Sequence, residues 1–153
     1  MLAARPDPKL TTNARRIRCT GVTDIETRAL RITMAIASLV PISAGGAGVL
    51  FGPGAFASAV IGSIELDSHF RYLSGLLLAI GVAYASSIPR IETHTARFSL
   101  LTCIVVTGGL GRLFAVLAEG TPSRAMLAAL AMELIVTPGI ALWQRRVARL
   151  GGL

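Results

Sequence analysis

Four long apolar runs, separated by short polar stretches, dominate the pattern of the chain. They cover residues 29–51, 68–88, 98–118 and 125–143. Each run has about 19 to 23 residues, enough for a helix that rises about 1.5 Å per residue to cross a hydrocarbon layer about 30 Å thick. The pattern therefore predicts an all-α fold, namely an integral membrane bundle of four helices.

Proline and glycine mark the ends of these runs. Gly52-Pro53-Gly54 ends the first run, Pro89 ends the second, and a turn over residues 119–123 separates the third from the fourth. Residues 55–64 are apolar but too few to span a bilayer, so they predict an interfacial or re-entrant segment. The glycines within the runs predict close contact between helices.

The composition agrees with a membrane protein. Of the 153 residues, 53% are hydrophobic and 15% are charged, and the mean hydropathy is +0.67. Soluble domains carry about 25% charged residues, so a soluble surface is not expected. The length suits one compact unit, which we divide into a polar basic tail (residues 1–28) and a domain of four transmembrane helices (residues 29–149).

The distribution of basic residues predicts an orientation. Twelve of the 15 lysines and arginines lie in the amino-terminal stretch up to Arg31, in residues 90–97 and in the carboxyl-terminal stretch, whereas the two opposite connections contain only Arg124. Basic residues accumulate on the cytoplasmic side of membranes. Both termini, including the tail, are therefore expected to be cytoplasmic, with Asp67 and Glu119 at the outer face.

Five ionisable residues lie at the start of, or within, the later apolar runs: Asp67, His69, Arg71, Arg112 and Glu133. Ionisable groups in a membrane are costly and normally find a partner. Arg112 lies about 9 Å, and Glu133 about 12 Å, from the outer end of its helix, so we expect these two to pair. Asp67 and Arg71 have the i,i+4 spacing of a pair along one helix. The sequence thus predicts one buried charged cluster in the outer half of the bundle.

This cluster has two interpretations, which are compatible with each other. As a structural clasp it fixes the helix register, and as a site it binds a polar or anionic ligand or relays protons. His69 is a candidate proton carrier, because histidine titrates near neutral pH, but the favoured interpretation is that it is a residue of the membrane interface. We identify no catalytic residues, metal ligands or cofactor, because no nucleotide loop, nucleophile elbow or HExxH pattern occurs.

Three stretches together resemble a known family. They are Asp67-Ser68-His69-Phe70-Arg71-Tyr72-Leu73-Ser74-Gly75, then Gly108-Gly109-Leu110-Gly111-Arg112-Leu113, then Met132-Glu133-Leu134. In order and spacing they resemble the small bacterial membrane proteins of the domain of unknown function 4345, over roughly residues 30–149. The resemblance implies four transmembrane helices in the bacterial inner membrane and brings no known activity.

Three functional hypotheses remain open. The first is a multi-pass inner-membrane protein without enzymatic activity that binds a small ligand or a membrane-protein partner. The second is a proton-linked or small-solute transporter, which would need to dimerise because four spans are few for a pathway. The third is an accessory subunit of a membrane redox or lipid enzyme. The lipid bilayer is the expected partner, small-residue faces allow a homo-oligomer, and the lack of an aromatic-rich basic face argues against nucleic-acid binding.

Overall fold

The computed structural model describes the backbone of residues 8–55 and 63–151, and the side chains of residues 24–54 and 63–150. No β-strand occurs in these ranges. The α-helices are α1 (Pro8–Phe51), α2 (Ile64–Ala85), α3 (Thr95–Glu119), α4 (Arg124–Ala131) and α5 (Thr137–Gly151). A π-helical turn, Met132–Val136, joins α4 and α5 into one continuous helix.

Four helical stretches are long and apolar enough to cross a membrane. Their mean hydropathies lie between 1.5 and 2.0, and they are Asp24–Gly54, Ile64–Arg90, Thr95–Glu119 and Arg124–Leu150. The prediction of an all-helical protein with four helices of membrane-spanning length is confirmed.

Two helices begin earlier than the apolar pattern indicates. α1 begins at Pro8, so the described part of the predicted tail is helical and continuous with the first apolar run. α2 begins at Ile64 because Ser63 caps it, its hydroxyl accepting a hydrogen bond from the Leu66 N–H at 3.1 Å. Most of the predicted interfacial segment, residues 56–62, lies outside the described residues.

Helices α1 and α2 form a closely packed antiparallel hairpin. A Cβ atom on Gly45 would lie 2.5 Å from Leu78 N and 2.7 Å from Ser74 O, so only glycine allows this approach. Further along, a Cβ atom on Gly81 would lie 2.8 Å from Ile42 Cγ1. The predicted close contact between helices is therefore made directly between the backbones of this hairpin.

The hydrophobic core lies at one end of the bundle, which we call the closed end. Tyr84 and Phe98 meet there edge to face, with ring centroids 5.0 Å apart. The end of α2, the start of α3 and the later part of α5 all contribute to it, together with α1. The buried apolar residues are Leu30, Met34, Tyr84, Ile91, Phe98, Leu101, Ile140, Ala141 and Val147.

The opposite end, formed by Phe51, Ile64, Glu119 and Arg124, is called the open end. No described residue of α4 is buried, and α4 packs against α3 without extensive contact with α1 or α2. The α1/α2 hairpin and the α3/α4 pair are thus joined by the core at the closed end and separate toward the open end.

Candidate functional site

The π-helical turn carries Glu133 and has an identifiable cause. Pro138 has no N–H, and in a regular α-helix its ring would clash with the carbonyl of Leu134. The Thr137 N–H instead bonds the carbonyl of Met132, five residues back, and the Thr137 hydroxyl donates to the same oxygen at 2.9 Å. Single π-helical turns occur often at functional sites. The turn therefore places an acidic side chain at an irregular point of the fourth helix.

Helix α3 approaches this turn through Gly109. A Cβ atom on Gly109 would lie 2.8 Å from Leu134 Cδ2 and 3.0 Å from Glu133 Cβ. By contrast, Cβ atoms on Gly108 and Gly111 would meet no atom of the described residues within 4 Å. Within the expected glycine-rich contact, Gly109 is thus the residue that allows α3 to lie directly against the π-helical turn.

Arg112, one turn beyond Gly109, pairs with Glu133. Its Nε lies 3.2 Å from Glu133 Oε1, and one Nη atom donates to Met126 Sδ at 3.1 Å. The guanidinium therefore lies between the π-helical turn and the start of α4, and extends toward the open end. This is the pair that the depths of the two residues predicted.

The second oxygen of Glu133 is covered by protein but has no partner in the part of the chain that the structure describes. Glu133 Oε2 is inaccessible and makes no hydrogen bond to a described residue. Covered polar atoms are normally hydrogen-bonded, and an unpaired one calls for a water molecule, an ion, a proton or a ligand group nearby. The ion pair with Arg112 thus involves only one of the two carboxylate oxygens of Glu133.

Asp67 and Arg71 also pair, and together they close the end of α1. Arg71 Nε donates to Asp67 Oδ2 at 2.8 Å, while one Nη atom donates to the carbonyls of Val49 at 2.7 Å and Leu50 at 3.2 Å. The last carbonyls of a helix lack intrahelical partners and carry partial negative charge, so a guanidinium there is favourable. Arg71 therefore acts as a side-chain cap for α1, held in position by Asp67.

Gly52 makes this cap possible. Its φ of +66° is one that residues with a side chain rarely adopt, and a Cβ atom there would lie 2.6 Å from Asp67 Oδ1 and 2.8 Å from an Nη atom of Arg71. A larger residue would both strain the backbone and push the pair away from the end of α1.

The structure corrects the expectation of a buried cluster. The side chains of Arg112 and Glu133 are 37% and 18% exposed, and no acidic, arginine or histidine side chain among the described residues is buried by protein. No hydrogen bond or ion pair joins Asp67 and Arg71 to Arg112 and Glu133, and the exposed His69 makes neither to any described residue. The reason is that both pairs lie toward the open end, where the two halves of the molecule separate and protein covers only one side of each pair.

A small pocket opens beside Arg112 at the open end. Its volume is about 140 Å³. The turn between α3 and α4 forms its rim, including Gly120 with a φ of +102°. The lining residues are Arg112, Ala115, Val116, Glu119, Gly120, Pro122, Met126 and Leu130. Within the described ranges, no three histidine, cysteine or acidic side chains lie close enough together to hold a metal ion.

Gln144 is an important polar residue that was not predicted to belong to any site. It is fully buried at the closed end, where its Nε2 donates to the Ile91 carbonyl at 2.7 Å and to Thr95 Oγ1 at 3.0 Å. Its spacing from Ile140 and Val147 places all three on one helix face, which is a signal of burial. This side chain ties α5 to the connection between α2 and α3.

Two further ion pairs join distant parts of the closed end. Arg31 lies 3.1 Å from Glu92, and Arg146 lies 3.3 Å from Glu26. The sequence contains no spacing that predicts either pair, because their partners are far apart in the chain. These contacts give the basic closed end an ordered arrangement of charges.

One family model matches this chain. It is the model of the domain of unknown function DUF4345, and it matches residues 29–144. The chain belongs to the DUF4345 family. The DUF4345 region includes all five residues singled out from the sequence and ends at the buried Gln144. No curated protein and no solved structure shows a significant match.

Proposed function

We propose that this DUF4345 protein is a multi-pass integral membrane protein without enzymatic activity, located in the bacterial inner membrane. In it, the Arg112–Glu133 and Asp67–Arg71 pairs hold the helices in position. The observation that carries the proposal is the exposure of large apolar side chains on all four membrane-length helices. Among the most exposed are Leu50 at 71%, Phe114 at 73% and Leu117 at 78%.

Such a surface is incompatible with water. In the most apolar 18-residue stretch of each helix, the buried share is only 22% for the first helix and 6% for the fourth. The largest apolar patches of soluble proteins cover a few hundred Å², whereas here the apolar surface surrounds the helices. Lipid acyl chains are the surroundings that such a surface requires.

The charges support an orientation with the closed end in the cytoplasm. Among the described residues, the closed end has more arginines than acids, whereas the open end has three arginines and four acids. The closed end carries Arg28, Arg31, Arg90, Arg97, Arg145, Arg146 and Arg149 against Asp24, Glu26 and Glu92; the open end carries Arg71, Arg112 and Arg124 against Glu65, Asp67, Glu119 and Glu133. Basic residues on the cytoplasmic side would place both termini there as well. The open end would then face the outer side of the membrane.

In this setting the ion pair between α3 and the π-helical turn acts as a clasp. Protein covers one side of Arg112 and Glu133, so lipid would cover part of the other side. An unpaired charge is costly in hydrocarbon, and a mutual pair reduces that cost. The clasp therefore favours the register in which Gly109 lies against the turn.

Labelling of single cysteines tests the proposal. In a background with Cys19→Ser and Cys103→Ser, we would introduce Thr121→Cys at the open end and, as its matched control, Thr93→Cys at the closed end; both threonines are exposed. A membrane-impermeant maleimide should label the first in intact spheroplasts and the second only after permeabilisation. Equal labelling of both, or recovery of the protein in the soluble fraction, would contradict the proposed placement.

The covered, unpaired Glu133 Oε2 favours one second candidate, a proton-linked carrier. A carboxyl group with one free oxygen at a π-helical turn is suited to take up and release a proton. Proton flux into proteoliposomes that disappears in Glu133→Gln would support this function. Flux equal to that of empty vesicles would exclude it.

A further inference from the structure

The pocket beside Arg112 combines one cation with apolar walls. Arg112 is bound through Nε to Glu133 and through one Nη atom to Met126, and the remaining Nη atom makes no hydrogen bond to a described residue. Ala115, Val116 and Leu130 supply an apolar lining. The free guanidinium donors therefore open onto a surface that is otherwise suited to hydrocarbon.

The size of the pocket limits what it can hold. At about 140 Å³ it is smaller than the roughly 300–1,000 Å³ typical of sites that enclose a whole ligand. It has room for a phosphate with a few neighbouring atoms. A larger ligand would have to leave most of its body outside, against the neighbouring protein surface.

The neighbouring surface is apolar and extends away from the open end. Ile104 on α3 lies on the same helix face as Ala115, about three turns nearer the closed end, and is 46% exposed; Leu127 on α4 is also exposed. A molecule with its polar group in the pocket could thus lay an apolar chain along the helices. A charged group joined to long hydrocarbon chains is the chemistry of a phospholipid.

We propose that this pocket binds the headgroup of one phospholipid from the outer leaflet, with its phosphate on Arg112 and its acyl chains along α3 and α4. The inference rests on the proposed membrane location. Arginine suits this role because its planar guanidinium forms several hydrogen bonds with phosphate oxygens. Protein and lipid would then together cover the clasp between Arg112 and Glu133.

Glu119 on the rim adds a preference among headgroups. Its carboxylate lies two turns beyond Arg112 on the same helix and lines the same pocket. A headgroup with an ammonium beyond its phosphate places a positive charge toward this carboxylate, whereas a glycerol headgroup does not. Phosphatidylethanolamine should therefore bind more tightly than phosphatidylglycerol.

Native mass spectrometry of the full-length protein in mild detergent, titrated with palmitoyl-oleoyl phosphatidylethanolamine, tests the site. Wild type should retain one lipid per chain. Ala115→Phe, which fills the pocket, should lower the apparent affinity about ten-fold, while Ala118→Phe, an exposed alanine on the same helix outside the lining, should not change it. Arg112→Gln should lose binding in the same way, whereas Arg124→Gln, which removes a neighbouring exposed charge, should retain it.

A change of lipid and a milder variant complete the test. Glu119→Gln alters only an exposed residue and should reduce the preference for phosphatidylethanolamine over phosphatidylglycerol by about three-fold. Free inorganic phosphate should not displace the lipid; displacement by millimolar phosphate would indicate a soluble anion as the ligand and overturn the proposal. Equal lipid retention by wild type, Ala115→Phe and Glu119→Gln would also overturn it.

The cysteine labelling distinguishes a failure of this lipid site from a failure of the proposed function. If the labelling showed a spanning protein while the lipid test failed, the proposed function would stand without the lipid site.

Discussion

Gly109 of α3 lies so close to the π-helical turn that a Cβ atom on it would be 2.8 Å from Leu134 Cδ2. Arg112 follows one turn later and meets Glu133, the residue before Leu134, at 3.2 Å. Close backbone packing and ion pairing therefore occur at the same level of the same helix pair. We therefore expect the ion pair to weaken when the packing at Gly109 is disturbed, and the packing to loosen when the ion pair is removed.

Replacing Gly109 by alanine tests this packing. Gly109→Ala should destabilise the protein by about 1–3 kcal/mol, the usual cost of overpacking, because the added methyl group collides with Leu134 and Glu133. Gly108→Ala is the matched control, since its methyl group would lie more than 4 Å from any atom in the described parts of the chain. Unfolding in increasing fractions of dodecyl sulfate measures both, and equal stability of the two variants would show that Gly109 is not a close contact.

A double-mutant cycle tests the clasp. Arg112→Gln and Glu133→Gln should each destabilise the protein, and the charge swap Arg112→Glu with Glu133→Arg should be less damaging than either single change. The coupling should be about 1 kcal/mol, a size typical of polar contacts between helices in membrane proteins, because the pair is only partly enclosed by protein. Folded yield and unfolding in detergent provide the measurement. A swap as harmful as the single changes would mean that the pair is not a clasp.

Arg71 should matter through its bonds to the backbone of α1. Arg71→Gln removes the donors to the carbonyls of Val49 and Leu50, and should lower the stability by about 1.5 kcal/mol, the lower part of the range for hydrogen bonds to charged groups. Amide hydrogen exchange should increase in the last turn of α1. Arg124→Gln, which removes an exposed arginine at the same end of the molecule, should leave exchange in α1 unchanged. If both variants had the same effect, the cap would be of no importance.

Gln144→Leu tests the closed end. Leucine has a similar size but cannot donate to the Ile91 carbonyl or to Thr95, so a buried carbonyl loses its partner, at a cost of about 1–3 kcal/mol. Leu142→Ala provides the control because Leu142 is exposed on the same helix. Stability in detergent is the readout. A Gln144→Leu variant as stable as wild type would contradict the assigned role of this amide.

The helices could be predicted because each apolar run is continuous and proline or glycine marks its end. The pairing of Arg112 with Glu133 could also be predicted, since depth along two antiparallel helices follows from residue counts alone. The sideways position of one helix relative to another does not follow from such counts. The separation of the two halves, and with it the exposure of both ion pairs, depends on packing between hairpins that no local pattern records.

Other features escaped prediction for specific reasons. Arg71 bonds backbone carbonyls, and a backbone acceptor leaves no trace in the sequence. The pairs of Arg31 with Glu92 and of Arg146 with Glu26 join residues far apart in the chain. Gln144 did have a signal, its i+4 and i−3 spacing from Ile140 and Val147, but the basic residues after it made it resemble part of a polar stop.

The π-helical turn has the effect of one inserted residue on the angular phase of the fourth helix. In an α-helix each residue advances about 100°, so an additional one rotates everything that follows by about that angle. Before the turn the helix presents Met126 and Leu130 toward the pocket on α3, and after it presents Ile140 and Gln144 toward the core. A single continuous rod can in this way serve two differently oriented interfaces, and losing one residue between 132 and 136 would leave only one of them correctly aligned.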